Sequence, residues 1–406
     1  MELKKLKIHV KWNLKNQHTG KMMQTIFHRI VQFPSDKSCF LFGPRGTGKS
    51  FWLRRQLKSA LYIDLLESET YFRLLSAPDK LESMIPKHFS DYIIIDEIQK
   101  ISKLLDEVHR LIEKYQYRFI LTGSSARKLK KQDVNLLAGR ALTLYLNPLC
   151  CEELSSAFDI TYSLKYGHLP SAYTEKNPDL YLKSYVTTYL REEVLQEGLT
   201  RDLGNFTRFL ETASFSQGEI LNISEIAREC FLNRKLVENY FSILEDLLIA
   251  FRLPVFTRRA KRRMIHHPKF YFFDVGVYRA IRPKGPLDTI EEIEGAALET
   301  LFLQELIALN EYYQLGYTIY YWRTSTQIEV DFVLYGELGL HAFEIKRKSS
   351  YSTKDLKGLK SFINDYPMST AWLVYGGHKE FYEDNIQVIP FMKILPGLKT
   401  IIGSKG

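Results

Sequence analysis

Gly43-Pro44-Arg45-Gly46-Thr47-Gly48-Lys49-Ser50 follows the apolar run Ser38-Cys39-Phe40-Leu41-Phe42 and leads into the helical pattern Phe51-Trp52-Leu53-Arg54-Arg55-Gln56-Leu57. The stretch reads G-x-x-x-x-G-K-[ST] with a strand before it and a helix after it, which is the setting its chemistry needs. Its glycines leave backbone N–H groups free to wrap phosphates, and the new helix turns its positive end toward them. On this reading Gly43 through Ser50 bind nucleotide phosphates, Lys49 reaches the β- and γ-phosphates, and Ser50 ligates Mg²⁺. An ordinary glycine turn would require neither flank.

A phosphate cradle hydrolyses nothing without a second, acidic site. Asp91-Tyr92-Ile93-Ile94-Ile95-Asp96-Glu97-Ile98-Gln99-Lys100 supplies one. Its β-branched run is too short for a helix and predicts a buried parallel strand, ending in two acids where such sheets place their ligands. Asp96 is expected in the Mg²⁺ shell, and Glu97 is expected to orient or deprotonate the attacking water. A third strand, Tyr117-Arg118-Phe119-Ile120-Leu121, ends in Thr122-Gly123-Ser124-Ser125. Thr122 or Ser124 is a candidate to sense the γ-phosphate, although Ser, Thr and Gly also end many strands. Arg140, after Leu136-Leu137-Ala138-Gly139 and before the apolar strand Ala141–Leu146, is a candidate arginine finger or a surface residue.

With these residues in place, positions 38–155 resemble the AAA+-type P-loop ATPases. The likeness is to a bacterial and archaeal group marked by the segments that appear here as Ile93–Lys100, Leu121–Ser125, Leu137–Arg140 and Asn147-Pro148-Leu149-Cys150-Cys151-Glu152-Glu153-Leu154. The resemblance implies an ATP- and Mg²⁺-dependent ATPase domain. It also implies a winged-helix region and a tail with a PD-(D/E)xK nuclease-like pattern.

Composition bounds the rest. With 406 residues, 45% of them hydrophobic, the chain is long enough for two to four packed domains. A formal net charge of +9 favours a polyanionic partner. Four cysteines, Cys39, Cys150, Cys151 and Cys230, form no CxxC pair, which fits a reducing cytoplasm. No run approaches the ~18–20 apolar residues of a membrane span. The basic start Met1-Glu2-Leu3-Lys4-Lys5-Leu6-Lys7 has no hydrophobic segment after it, so export is not expected. Residues 1–37 read as an arm followed by a helix around Met22–Val31, broken at Phe33-Pro34-Ser35. From Phe51 to Ser90 helix and strand alternate, with Ala60-Leu61-Tyr62-Ile63-Asp64 as a core strand. That rhythm predicts a parallel sheet with helices on both faces.

Beyond Leu154 the pattern becomes helical. Leu180–Val194 repeats apolar residues through Tyr181, Tyr185, Tyr189 and Leu190; these tyrosines fit core packing better than a surface for stacking bases. Leu221–Cys230 predicts a short helix capped by Asn222 or Ser224. A turn at Phe231-Leu232-Asn233 then leads to a second helix through about Leu248. With the hairpin-like Ile249–Thr257 and Lys269–Asp274, this reads as a winged helix-turn-helix, either a DNA reader or a structural lid or oligomer contact. If it reads DNA, Arg234 and Lys235 face the groove. Between the two strands, Arg258, Arg259, Lys261, Arg262 and Arg263 form the densest charge run in the chain, a candidate phosphate-binding surface.

The tail carries a second set. Glu299 lies on the predicted helix Ile293–Asn310, Asp331 on the strand Ile328–Leu334, and Glu344 and Lys346 on the strand His341–Lys346. Residues i and i+2 share a strand face, so Glu344 and Lys346 do. This order, E…D…ExK on helix, strand and strand, resembles PD-(D/E)xK nucleases, with Val330 in place of the family's Pro. The resemblance implies that Glu299, Asp331 and Glu344 hold Mg²⁺ while Lys346 orients water or offsets phosphate charge. A fold kept without cleavage, for DNA binding or assembly, stays open, as does an ordinary charge pair.

The expected architecture is therefore α/β. A P-loop NTPase (AAA+-type) domain with its arm occupies 1–155, a helical and winged-helix region 156–285, and a nuclease-like α/β domain 286–406. The expected activity is ATP hydrolysis acting on DNA, branched DNA included, by a cytoplasmic homo-oligomer such as a ring, with Arg140 serving a neighbour. A non-nucleolytic DNA motor and a slow nucleotide-dependent switch are the alternatives.

Overall fold

A computed structural model describes residues 26–124, 137, 139–196, 202–260, 262–264, 266–286 and 288–404. Met1 to Lys7, Met22, Ser125, Leu136, Ala138 and Lys261, named above, lie outside them.

The N-terminal sheet has five strands, β1 (Ser38–Phe42), β2 (Leu61–Asp64), β3 (Tyr92–Asp96), β4 (Arg118–Gly123) and β5 (Ala141–Tyr145), in the order β2-β3-β4-β1-β5. Every pairing is parallel. Side chains alternate across it as strand geometry requires. Cys39 and Leu41 pack toward Leu53 of α1 (Lys49–Gln56), whereas Phe40 and Phe42 pack toward the layer that includes Leu104 and Val108 of α2 (Leu104–Tyr115). Both faces are covered at β1 and β3, so these strands carry uninterrupted apolar runs. The phosphate loop follows β1, and the acids follow β3, two places away in the sheet with β4 between them.

The helix expected around Met22–Val31 is absent over the described part, since residues 26–37 form neither helix nor strand. The Ile30 N–H that helix formation would use is donated instead to the Glu153 carboxylate at 2.9 Å. Tertiary bonding overrides local propensity there.

The middle of the chain is mainly helical. Its helices include α3 (Arg191–Gln196), α4 (Leu203–Ser214), α5 (Ile223–Glu229) and α6 (Arg234–Asp246). Asn222 caps α5 through a bond from Glu225 N, and Asn233 caps α6 through one from Leu236 N. Two short antiparallel strands follow, β6 (Ala250–Leu253) and β7 (Lys269–Phe272), with Leu253 opposite Lys269.

The C-terminal region is built on α7 (Ile290–Tyr312) and a six-stranded sheet. The strands are β8 (Thr318–Arg323), β9 (Glu329–Gly336), β10 (Gly339–Lys346), β11 (Thr370–Tyr375), β12 (Phe381–Glu383) and β13 (Ile386–Pro390), ordered β12-β13-β11-β10-β9-β8. Phe302 of α7 packs on Phe332 and Phe343 on one face. Phe362 of α8 (Lys357–Asp365) packs edge-on against Trp322 on the other.

The connection between β6 and β7 belongs physically to this C-terminal sheet. Val255 bridges Tyr321 and Met264 bridges Thr324, Phe256 N donates to Tyr321 O at 2.7 Å, and the Phe256 ring is buried against Phe362 and Tyr366. Among the described residues no helix is long and apolar enough to cross a membrane.

Candidate functional site

The phosphate loop owes its shape to its glycines. Gly46 and Gly48 sit at φ 87° and 86°, a region side chains disfavour. A Cβ on Gly43 would stand 2.3 Å from the Leu146 carbonyl oxygen, so only glycine lets the loop pass the end of β5. Lys49 is curled into the loop, its Nζ donating to the carbonyls of Gly43 (2.7 Å) and Pro44 (3.1 Å). Burial pulls its pKa down, while the nearby carboxylates of Glu97, Glu193 and Asp96 oppose that shift.

Asp96 is buried and held from both sides by hydroxyls, Tyr62 on Oδ2 and Thr122 on Oδ1. The Tyr62 hydroxyl also meets the Ser50 side chain. Thr122 performs two tasks, donating to Asp96 and accepting from Glu97 N at 3.2 Å. Of the two candidates at the end of β4, it is therefore Thr122 that ties the acids together. Ser124 lies 3.4 Å from the Gln99 amide, which also donates to Glu97 Oε2. Glu97 itself has φ 62°, a left-handed conformation that costs a non-glycine residue about 1 kcal/mol or more and persists where surroundings impose it. Burial raises its carboxyl above the usual carboxylate range, partly offset by Lys49.

Lys49, Ser50, Glu97, Gln99, Ser124 and Glu193 line one cavity of about 700 Å³. A smaller, more apolar cavity of about 220 Å³ adjoins it through Gly46, Gly48 and Phe51 and is walled by Ile26, Phe27 and Pro170. Ser50 and Asp96 offer hard oxygen donors, the set Mg²⁺ prefers. Arg140 is not among the lining residues; its guanidinium pairs with Glu113 on α2.

Residues of the middle region cover the loop. Glu193 on α3 reaches the Arg45 guanidinium at 3.3 Å. The buried Tyr185 donates its hydroxyl to Arg45 O at 2.9 Å, and Arg45 stands over the Tyr189 ring at 4.9 Å. Beneath the loop Arg29 forms a buried hub. It bonds Glu153 (2.9 Å), Thr47 O (3.0 Å), Asn147 O and the Tyr312 hydroxyl (2.8 Å). Tyr62, Gln99, Glu193 and Arg29 were not legible as site residues. Only Gln99 had a signal, its place beside the two acids.

The second cluster also assembles. Asp331 Oδ2 accepts Ile345 N at 2.8 Å, Lys346 Nζ lies 2.6 Å from Glu344 Oε1, and Tyr271 donates to Glu299 Oε2 at 3.0 Å. Burial, reinforced by the charge on Asp331, raises both Glu299 and Glu344 well above the carboxylate range. Glu344 Oε2 is buried with no hydrogen-bond partner, a feature that suits a bound cation. Against this, the Lys269 ammonium from β7 is paired with Glu329 and lies 3.6 Å from Asp331 Oδ1. Among the described residues no three His, Cys, Asp or Glu side chains converge in a way that would hold a metal ion. As arranged, the acids do not fit one.

The expected DNA-contacting cations fall on two separate elements. Arg234 pairs with Glu238 (3.1 Å) one turn on, and Lys235 is exposed beside it. Arg258, Arg259 and Arg263 are exposed on the stitched connection, whereas Arg262 is paired with Asp365 at 2.9 Å.

Residues 35–155 match the family model of an AAA domain, so this part of the chain is a P-loop ATPase-like domain. Residues 158–288 and 294–394 match two domains of unknown function, DUF8612 and DUF4143. An uncharacterized protein of Mycobacterium tuberculosis is 27% identical over 365 residues, 87% of this chain and 80% of that relative. One from Haemophilus influenzae is 24% identical over 299 residues, 64% of this chain and 74% of its own length. Among solved structures, the Aeropyrum pernix ORC1 protein in complex with DNA aligns at 15% identity and TM-score 0.26, covering 68% of this chain and 89% of that one. Protein VC1899 from Vibrio cholerae aligns at 14% and 0.23, covering 91% and 99%. Likeness at those scores bears on neither fold nor activity.

Proposed function

We propose that the chain is an ATP-hydrolysing enzyme acting on DNA, with the C-terminal domain gripping the nucleic acid. The observation that carries the ATPase reading is Glu97, tied to Asp96 through Thr122, facing Lys49 and Ser50 across one cavity. Lys49 would leave the loop carbonyls for the β- and γ-phosphates. Ser50 and Asp96 would hold Mg²⁺, which supplies charge neutralisation at the phosphates when bound. Glu97, aimed by Gln99, would take the proton of the attacking water. Ile26, Phe27 and Pro170 would receive the base.

The DNA reading rests on the exposed Arg258, Arg259 and Arg263, which stand on a connection anchored to the C-terminal sheet. Clustering three cations costs least where phosphates neutralise them. Arg140, paired with Glu113 outside its own cavity, would have to exchange that partner to serve the site of a neighbouring copy in a homo-oligomer or ring. Cleavage by Glu299, Asp331, Glu344 and Lys346 with Mg²⁺ is the second reading, favoured by the orphaned Glu344 oxygen, and it would require the Lys269 ammonium to leave the cluster first.

Phosphate release from Mg-ATP, with and without a four-way DNA junction, tests the proposal. Lys49→Ala is expected to abolish turnover and Glu97→Gln to retain nucleotide binding without hydrolysis. Unchanged turnover in either variant overturns that residue's role, and a rate indifferent to DNA removes the partner. Shortened strands on a denaturing gel that vanish in Glu344→Ala would establish the second reading.

A further inference from the structure

Lysine is almost never fully buried unless paired, and Lys269 is 3% exposed. Its strand explains how it came to be there. Lys269 lies opposite Leu253 of β6 on one side and bridges Ile220 on the other. The connection leading into β7 is bonded to β8 through Phe256 and Tyr321. The backbone thus delivers the ammonium from the middle region into a cluster whose acids belong to the C-terminal region, and the contacts on both sides keep it from retracting.

Within the cluster the ammonium stands at Glu329 and Asp331, with the charge of Glu299 also bearing on it. Arg323 takes the other oxygen of Glu329 at 2.8 Å, and Lys346 takes Glu344. The carboxylates are therefore already matched by protein cations almost one for one. Gly218, at φ 76°, brings backbone so near that a Cβ there would stand 3.2 Å from Glu299 Oε2, leaving little slack. Mg²⁺ needs near-octahedral oxygen at about 2.1 Å and gives up its waters reluctantly. It would have to enter against a fixed positive charge 3.6 Å from Asp331 Oδ1.

We propose that Lys269 is the resident counter-ion of the C-terminal acid cluster, standing where a divalent ion would stand, so that the cluster is an ion lock joining the middle and C-terminal regions. The inference is independent of the ATPase reading and bears on the nuclease reading alone.

Mn²⁺ is the probe, titrated into the full chain without nucleotide and followed by the loss of its free electron-paramagnetic-resonance signal. The wild type and Asp331→Asn are expected to bind Mn²⁺ indistinguishably. Lys269→Met is expected to gain one Mn²⁺ site at least tenfold tighter than any in the wild type, and Lys269→Met/Asp331→Asn to lose it. If Lys269→Met does not fold, Lys269→Gln takes its place, and the comparison of wild type with Asp331→Asn decides without either. One-to-one Mn²⁺ binding by the wild type that Asp331→Asn abolishes would overturn the proposal, as would a folded Lys269→Met that gains no site.

Discussion

Replacing Arg29 with methionine should cost more stability than removing any one of its partners. The Glu153 side chain is fully enclosed and that of Arg29 is 3% exposed. Deleting the cation therefore strands a buried carboxylate, a loss typically of about 3–5 kcal/mol. The N–H groups of Ile30 (2.9 Å) and Cys150 (3.2 Å) still serve Glu153 and hold the cost within that range. The carbonyls of Thr47 and Asn147 lose a donor as well. At about 2–4 °C per kcal/mol for a domain of this size, the ATPase transition in a calorimetric melt should fall by roughly 6–20 °C.

The double variant Arg29→Met/Glu153→Gln removes the stranded charge and should recover about 2 kcal/mol relative to the sum of the singles, because contacting residues do not add. Because Arg29 also holds the Thr47 carbonyl, the single variant should bind nucleotide more weakly at temperatures where it remains folded. A single variant that melts within about 2 °C of the wild type, or a double variant whose loss equals the sum, would refute the hub.

Glu305, buried in α7 and bonded to Cys151 N at 2.8 Å, is pushed up to about 8 by burial. A folded value above the unfolded one stabilises at low pH. That contribution is lost as pH rises from about 4.5 to 8, by up to about 1.4 kcal/mol per unit. Glu305→Gln should therefore gain on the wild type in melting temperature progressively as pH rises from about 4.5 to 8, with the gap level above that; a gap independent of pH across this window would remove this assignment. Since burial also raises Glu97, single-turnover hydrolysis should decline at a pH above the ordinary carboxylate value of about 4.3, and a rate flat down to that value would exclude it as the base. Removing Arg258, Arg259 and Arg263 together should weaken DNA binding and lower its salt slope by roughly 3, at about 0.9 per phosphate contact. An unchanged slope would move the DNA surface elsewhere.

What the sequence determined by itself was everything whose chemistry lies in contiguous residues or in a strand period. Gly43–Ser50 specifies its own loop, because glycine conformations and a following helix are local properties. The apolar runs ending at Phe42, Asp96 and Gly123 could only be strands buried on both faces, which placed loop and acids at the same, carboxyl, end of the parallel sheet. The spacing of Glu344 and Lys346 put them on one face, and they meet.

Only the tertiary structure decided which distant side chains complete these sites. Tyr62 is three strands from the loop, Glu193 lies about 150 residues beyond it, and Arg29 sits in a segment whose helical pattern tertiary bonds overrode. Lys269 read as one more residue of a short strand. Its ammonium became the partner of Glu329 and Asp331 because the connection before it is stitched to a neighbouring sheet. A buried charge is matched by whatever opposite charge the packing brings near, and that proximity leaves no spacing to read along the chain.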